Sequence, residues 1–400
     1  MAVTAAESEP KLGSVIAMAA HTLPKRLSCS SVATAAIGLR HDFPGWRVTV
    51  GAFAATTLVI GLVACLVHAI RWYRTARDAS NLVVWCSGIL ALLLVEPIAY
   101  FPQWFGIEDE LGLTFAHNMF TVQFLYDRLP LYIIAMYPVY LYVAYTLVQR
   151  TGIFKRYNVF VSAACVAFVF HCLYQVVDGL GPQLKWWVWN QEVSTAHPSF
   201  SGIPLLNMSA FSVMLPFGIA LVTRWLCTVP HRGGWYIVRD VVMTSVLVWP
   251  VLFVGSIPPT ILDLLGGSLL VGRAVSAWTY VAILAVATVV AFWGAYRARR
   301  SDPSFLSEPL AREWFPVICC AVYLVVAAVL WISALPDYFA AVDGVAPNGG
   351  RIGPLPYATA AYVASALLTV GSFVGVRRPR ASAPTERVRS DSELPAPSAS

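Results

Sequence analysis

Long apolar runs, most of them about 20 residues in length, recur along this chain from residue 47 onward. A bilayer core of roughly 30 Å requires about 20 apolar residues for each helical span. Runs of this length without alternation predict helices, because backbone groups in lipid must be satisfied within the span. Only 12% of the 400 residues are charged, against roughly 25% in soluble proteins. The sequence therefore predicts an all-α polytopic membrane protein and excludes a soluble fold.

The chain is predicted to form one transmembrane helical domain, at 47–376, with a flanking segment on each side. The segment 1–46 lacks a basic start followed by a sustained apolar core, so we predict no cleaved signal peptide and a loosely ordered N-terminus. The tail 377–400 is rich in proline, serine and charge, which predicts a disordered cytoplasmic tail. About nine transmembrane helices are predicted, at 47–70, 81–101, 129–149, 158–178, 203–226, 239–259, 273–296, 315–335 and 356–376.

Positive charge is distributed unevenly between the two sides of the predicted bundle. Of the 27 Lys and Arg residues, 18 lie in one set of alternate connections, 5 lie in the N-terminal segment up to Arg47, and 4 lie in the other set, namely Arg128, Lys185, Arg273 and Arg351. Cations concentrate in the cytoplasmic loops of membrane proteins. We therefore predict a multi-pass protein of the cell membrane with its N-terminus outside and its C-terminus in the cytoplasm. Membrane lipid and a hydrophobic small molecule are the expected partners, and nucleic acid is not.

Cysteine and histidine positions predict no metal site. The eight cysteines place no pair in the predicted outer loops, so no disulfide framework is expected. No cluster of cysteine and histidine has zinc spacing. The seven histidines are scattered, whereas a membrane di-iron centre needs them clustered and a bis-histidine haem needs two at matched depth. We therefore expect neither a metal nor another cofactor.

Two acidic residues lie near the outer ends of predicted membrane helices. Glu96 lies about five residues, roughly 7–8 Å, inside the end of the second span and precedes Pro97. An acid at that depth is costly and indicates a functional site by default. The alternative is a carboxylate that reaches the interface or pairs with Arg128. Asp178 closes the fourth span, and both the helix dipole and desolvation favour the neutral form of an acid in such a position.

A polar face leads along the fourth helix to the second acid. His171, Gln175 and Asp178 are spaced i, i+4 and i+7, which places them on one side of the helix. This spacing favours a functional cluster. The alternative is a polar packing stripe that ends in an interfacial acid.

Aromatic loops follow both acids. The loop 102–128 is too long for a simple connection and too aromatic to be disordered, so we predict a lid or cover over a pocket. His117 in this loop is either part of the pocket or a solvated histidine. Trp187 and Trp189 either stabilise a developing cation through their ring faces or anchor the protein at the membrane interface. Asn207 begins the helix that follows.

These residues favour acid–base chemistry in a shared outer pocket. A neutral acid can protonate an oxygen or an alkene while a second carboxylate takes up a proton. We expect Glu96 to be the general acid and Asp178 the base or cation stabiliser. His171 and Gln175 would orient these groups. Asn207 would donate a hydrogen bond to the substrate.

With these residues the chain resembles the AveC-like spirocyclase family of actinobacterial membrane proteins, over roughly residues 80–225. The likeness is an acid–proline pair followed by an aromatic residue, a later acid ahead of a Trp-x-aromatic step, and a Pro-Leu helix start with a polar residue and Met. These motifs are Glu96-Pro97 with Tyr100, Asp178 with Trp187 and Trp189, and Pro204-Leu205-Leu206-Asn207-Met208. The family more often has Asp as the early acid and further acids after the later helix. The resemblance implies a cofactor-free spiroketal cyclase or dehydratase of secondary metabolism, with Tyr100 in the substrate pocket.

The same region is similar, more faintly, to the membrane carotenoid hydratases. Their Trp-x-Trp step and Gly-x-Pro-x-x-Asn motif correspond here to 187–189 and 202–207. Both resemblances imply acid–base chemistry on a hydrophobic polyketide or isoprenoid. The rival hypothesis is a proton-coupled transporter or lipid-handling protein, against which the lack of internal repeats counts. A third, a scaffold without chemistry, predicts no enclosed polar pocket beside Glu96.

Overall fold

In the computed structural model of the protein, the described residues are 45–112, 115–118, 122–227, 233–302, 304–306 and 309–375. The predictions for the N-terminal segment, apart from its last two residues, and for the tail 377–400 lie outside these residues. The fold reported below is that of the described part of the chain.

Nine long helices make up almost all of the described structure, in the order predicted for the nine spans. Eight of them are long and apolar enough to cross a membrane, and the ninth has 19 residues. The prediction of an all-α polytopic fold is therefore confirmed. The helices are α1 Gly45–Ala76, α2 Ser80–Tyr100, α3 Leu131–Thr151, α4 Val159–Asp178, α5 Leu205–Leu226, α6 Gly234–Leu264, α7 Leu269–Ser301, α8 Phe315–Phe339 and α9 Leu355–Phe373.

Helix α3 is the centre of the bundle. Every residue from Tyr132 to Thr151 is buried, which is the pattern of a helix surrounded by other helices rather than by lipid. It packs against α1, α2 and α4, while α4 also packs against α5, α7 and α9. Gly88 of α2 lets the two helices approach closely, because a Cβ there would lie 3.2 Å from Pro138 of α3.

The connections at one end of the bundle form a compact layer, which we call the aromatic end and define as residues 101–130, 179–204 and 340–354. Three two-stranded antiparallel sheets lie in its first two segments. Strand β1 (Phe115–His117) pairs with β4 (Trp187–Trp189), so the loop after α2 is joined to the loop after α4. The other pairs are β2 Gln123–Phe124 with β3 Leu129–Pro130 and β5 Ser199–Phe200 with β6 Ile203–Pro204.

The opposite end, which we call the basic end, carries the connections 77–79 and 152–158 and the described residues of the connections 227–233 and 302–314. Short helices lie in both ends, at Pro102–Phe105, Glu108–Leu111, Ile153–Arg156, Ser194–Ala196 and Leu310–Arg312. Several cations of the basic end bind helix ends across the bundle. Arg150 donates to the backbone carbonyls of Leu310 and Glu313, and Arg299 donates to that of Thr151 at 2.8 Å.

Candidate functional site

The carboxyl group of Glu96 is enclosed by protein in the last turns of α2. Its residue is only 3% exposed, so it does not reach the interface. Helix α2 continues through Pro97 to Tyr100. Arg128, the ion-pair partner considered for Glu96, instead donates to the backbone carbonyl of Tyr100 at 2.5 Å and lies 4.5 Å from the Phe101 ring centre. Neither alternative to a functional role for Glu96 is therefore observed.

A cavity of about 20 Å³ lies beside Glu96, with room for about one water molecule. Four of the residues predicted from the sequence line it together with Glu96, namely His117, Trp187, Trp189 and Asn207. The remaining lining residues are Phe115, Ile133, Met136, Tyr137, Tyr174 and Phe211. A cavity with polar lining residues is therefore present beside Glu96, where the hypothesis of a scaffold without chemistry predicted none.

The paired strands β1 and β4 form the cover of this cavity. Phe115 lies opposite Trp189 and His117 lies opposite Trp187 in the ladder. Successive side chains of a strand alternate between its two faces, and these four side chains, two residues apart on each strand, all line the cavity. Phe115 and His117 of the loop 102–128 thus line the cavity together with the tryptophans of the later loop.

His117 is part of the pocket and not a solvated loop histidine. A hydrogen bond of 2.5 Å joins its Nδ1 atom to the hydroxyl of Tyr100. Burial lowers the pKa of His117 to about 3, because the charged imidazolium loses its solvation there. The Tyr100 hydroxyl also lies within hydrogen-bonding reach of the Glu96 carboxyl. His117 is therefore a neutral group near neutral pH, linked to Glu96 through Tyr100.

Several buried polar atoms around the cavity lack a partner within the described part of the chain. They are Glu96 Oε2, Trp187 Nε1 and Trp189 Nε1, while the Asn207 side chain has the Tyr174 hydroxyl within hydrogen-bonding reach. A buried polar group without a hydrogen bond is costly, and most such groups in proteins are paired. Three such atoms on residues that line one small cavity give it a polar lining that can bind a polar group.

The second acid lies behind the cavity wall. Asp178 is fully buried, and neither of its carboxyl oxygens has a well-formed hydrogen bond in the described residues. Two wall residues, Tyr137 and Tyr174, share a hydrogen bond of 3.0 Å between their hydroxyls. Both Glu96 and Asp178 are close enough to act electrostatically on the Tyr137 hydroxyl. The two acids thus flank one tyrosine pair, with Glu96 in the cavity wall and Asp178 outside it.

The polar face predicted on α4 is present, but it does not reach the cavity. His171 bonds to Ser212 Oγ at 2.6 Å through Nδ1 and to the Tyr357 hydroxyl at 2.7 Å through Nε2. Gln175 donates to the same Ser212 at 3.4 Å and lies beside Asp178. Both nitrogens of His171 are thus engaged, so it positions α4 against α5 and α9 and has no ring nitrogen left to contact a substrate.

Three aromatic residues of the cavity wall were not predicted from the sequence, namely the hydrogen-bonded pair Tyr137 and Tyr174, and Phe211. Tyr137 belongs to a tyrosine-rich span whose hydroxyls had to find partners, but nothing in the sequence distinguishes it from its neighbours. Tyr174 lies four residues before Asp178, on the same face of α4, and that spacing could have indicated it. Phe211 lies in the π-helical part of α5, Met208–Met214, which no sequence period indicated.

The fold and the cavity define a polytopic α-helical membrane protein with an enclosed carboxyl site at one end of its bundle. No group of three or more His, Cys, Asp or Glu that could hold a metal ion is found in the residues described. Comparison with protein-family models, with curated proteins and with solved structures found no significant match to this chain.

Proposed function

We propose that the protein is a membrane-embedded acid–base enzyme that needs no cofactor and acts on a hydrophobic polyketide or isoprenoid. The observation that carries this proposal is the set of unpartnered polar atoms around Glu96 in one covered cavity. A carboxyl oxygen without a partner in such surroundings favours the protonated acid, since a buried charge costs far more than a buried neutral group. Glu96 is then a proton donor held against the substrate.

The chemistry that fits this site is the loss or addition of water with or without ring closure. Glu96 protonates a hydroxyl oxygen of the substrate, which leaves as water and gives an oxocarbenium ion or carbocation. The faces of Trp187 and Trp189 stabilise this cation. Attack by a second hydroxyl closes a ring and releases a proton, which Asp178 takes up through the pair Tyr137 and Tyr174. Return of that proton along the same pair restores Glu96.

The two resemblances set the substrates to be tried first. An AveC-like activity would close a spiroketal from a hydroxylated ketone, and a hydratase-like activity would add water to an isoprenoid alkene. In both, His117 and Tyr100 position the Glu96 carboxyl, and Asn207 in the cavity wall donates an amide N–H to the substrate. We further propose that the protein lies in the cell membrane with its aromatic end, and hence the cavity, on the outer side.

The test of the proposed function is turnover by the purified chain in nanodiscs. With a spiroketal precursor and an acyclic carotenoid as substrates, Glu96→Gln should lower the rate by about 10²–10⁴-fold, the usual contribution of a general acid. The matched control is Glu108→Gln, an exposed carboxylate in the same loop region. If the turnover of Glu96→Gln stays within a few-fold of that of the unmodified chain, Glu96 is not the general acid.

A proton-coupled transporter is the second candidate, favoured by one observation. The hydrogen-bonded hydroxyls of Tyr137 and Tyr174 lie within electrostatic reach of two buried acids, Glu96 and Asp178, and proton relays in transporters are built from chains of such groups. This candidate predicts solute flux in proteoliposomes that follows an imposed pH gradient and is lost in Asp178→Asn. The enzyme proposal predicts chemical conversion without such flux.

A further inference from the structure

A second cavity, which we call the vestibule, lies on the other side of Trp187 and Trp189 at the aromatic end. Its volume is about 170 Å³, against about 20 Å³ for the cavity beside Glu96. The same two tryptophans line both spaces, so they form the wall between them. The remaining lining residues of the vestibule are Pro182, Lys185, Val188, Ser201, Gly202, Ile203, Gly349, Gly350, Arg351 and Gly353. A molecule in the vestibule would therefore lie next to the proposed reaction site.

Two of the four cations predicted for the outer side are used to fix the backbone. Arg128 donates to the carbonyl of Tyr100, and Arg273 donates to the carbonyls of Ser194 and His197 at 2.9 Å each. These contacts tie the loops of the aromatic end to α2 and α7.

The other two cations, Lys185 and Arg351, both line the vestibule. Lys185 Nζ lies 3.5 Å from the place that a Cβ would take on Gly349, and Arg351 Cδ lies 3.6 Å from the corresponding place on Gly202. The two cationic side chains thus pass at van der Waals distance from these two glycines. Lys185 has a φ of +57°, a conformation that is uncommon outside glycine and that often marks functional positions.

The lining of the vestibule includes donors and cations but no acid in the part of the chain that is described. The indole N–H groups of Trp187 and Trp189 have no acceptor among the described residues. Anionic oxygens accept charge-assisted hydrogen bonds from such groups, and these are stronger than neutral ones. The lining therefore suits a carboxylate or a phosphate group and would repel a cation.

We propose that the vestibule binds the carboxylate or phosphate group of an amphiphile whose apolar, reacting part passes the tryptophan wall into the cavity beside Glu96. This inference rests on the proposed function for the destination of the apolar part. The anion site itself depends on the two cations of the vestibule lining, Lys185 and Arg351, and it can be tested without turnover.

The test is equilibrium binding to the full chain in nanodiscs of phosphatidylcholine. The probes are a fatty acid, an alkyl phosphate and the neutral methyl ester of the same fatty acid. We expect both anionic probes to bind about tenfold or more tightly than the ester, because charge-assisted hydrogen bonds favour them. The preference should be lost in the double variant Lys185→Gln, Arg351→Gln and restored in Lys185→Arg, Arg351→Lys.

Two controls separate this inference from the proposed function and from general charge effects. Glu96→Gln should keep the anion preference even though it loses turnover. Arg297 is an exposed cation outside the vestibule, so Arg297→Gln should keep both the anion preference and turnover. If phosphatidylglycerol in the disc competes with the anionic probes, the source of the anion is a lipid headgroup. If it does not compete, the ligand is a free amphiphile. Equal binding of acid and ester by the unmodified chain would overturn the proposal.

Discussion

At the scale of single residues, the position of Trp187 depends on the absence of a side chain at Gly181. A Cβ there would lie 2.3 Å from the indole ring, far inside van der Waals contact. The ring therefore fills the space above Gly181 and closes the cavity beside Glu96. This glycine needs no unusual backbone conformation, so its role is close packing alone.

Gly181→Ala should displace Trp187 and impair the site. Overpacking of this kind costs about 1–3 kcal/mol, so we expect a lower thermal unfolding midpoint in detergent together with a loss of turnover. Gly234→Ala is the matched control, because no atom lies within 4 Å of a Cβ at that position. A Gly181→Ala protein as stable and as active as the control would show that the indole does not pack as described.

The neutral state of His117 makes stability depend on pH. Its folded pKa is about 3, below the ordinary value of 6.5, so the unfolded chain binds a proton there over a pH range in which the folded chain does not. Stability from this residue is therefore complete above pH 6.5 and declines as the pH falls from 6.5 towards 3. On acidification, the unfolding midpoint of His117→Gln should decline less than that of the unmodified chain. Identical declines in the variant and the unmodified chain would contradict a neutral, buried His117.

Most residues of the cavity that carry polar atoms could be predicted from the sequence, because a polar group within an apolar run is itself a signal. Glu96, Asn207 and the two tryptophans were found in this way, and all line one cavity. The other lining residues could not be predicted, since Phe211 and Tyr137 resemble many other residues of the spans. Which of them face the cavity is decided by helix rotation and packing, which local sequence does not specify.

At the scale of elements, the paired strands β1 and β4 carry four of the side chains that line the cavity. About 20 Å³ does not hold a polyketide or a carotenoid, so substrate binding requires the cover or its neighbours to move. Ala116 and Val188 lie opposite each other in the ladder, on the strand faces opposite to those of the cavity-lining side chains.

A disulfide introduced by Ala116→Cys with Val188→Cys should lock the cover. Directly paired strand residues have Cβ atoms close enough for such a bond. We expect the oxidised double variant to lose turnover by about tenfold or more, since closed lids block substrate access, and reduction to restore it. Each single variant serves as control. Full turnover in the oxidised form would mean that substrate enters by another route.

The elements themselves were largely predictable, with informative exceptions. Nine spans were predicted and nine long helices are described, but α6 and α7 have 31 and 33 residues and extend beyond their predicted apolar stretches. Hydropathy detects only the part of a helix at bilayer depth. The π-helix Met208–Met214 in α5 was not predicted. Pro216, which lacks a backbone N–H, follows it by two residues, but a proline alone does not specify a π-turn.

At the scale of the whole molecule, the distribution of cations and the contacts that these cations make distinguish the same two ends of the helical bundle. Cations of the basic end, including Arg150 and Arg299, are buried and bind carbonyls at helix ends. They therefore contribute to the fold as well as to the predicted orientation. At the aromatic end the few cations either tie loops or line the vestibule.

The predicted orientation can be tested by thiol labelling in intact cells. Tyr126 at the aromatic end and Trp235 near the basic end are both exposed, at 79% and 76%. A membrane-impermeant thiol reagent should label Tyr126→Cys, and it should label Trp235→Cys only after the cells are opened. The unmodified chain gives the background from its own cysteines. The reverse labelling pattern would invert the predicted topology.

The central claim is that Glu96 is a protonated acid in an enclosed cavity, and infrared spectroscopy tests it most directly because no substrate is needed. At neutral pH the spectrum of the purified chain should contain the carbonyl stretch of a protonated carboxylic acid that disappears in Glu96→Gln and persists in Glu108→Gln. A spectrum in which Glu96→Gln removes only a carboxylate band would show that the group is ionised, and the account of Glu96 as a proton donor would be contradicted.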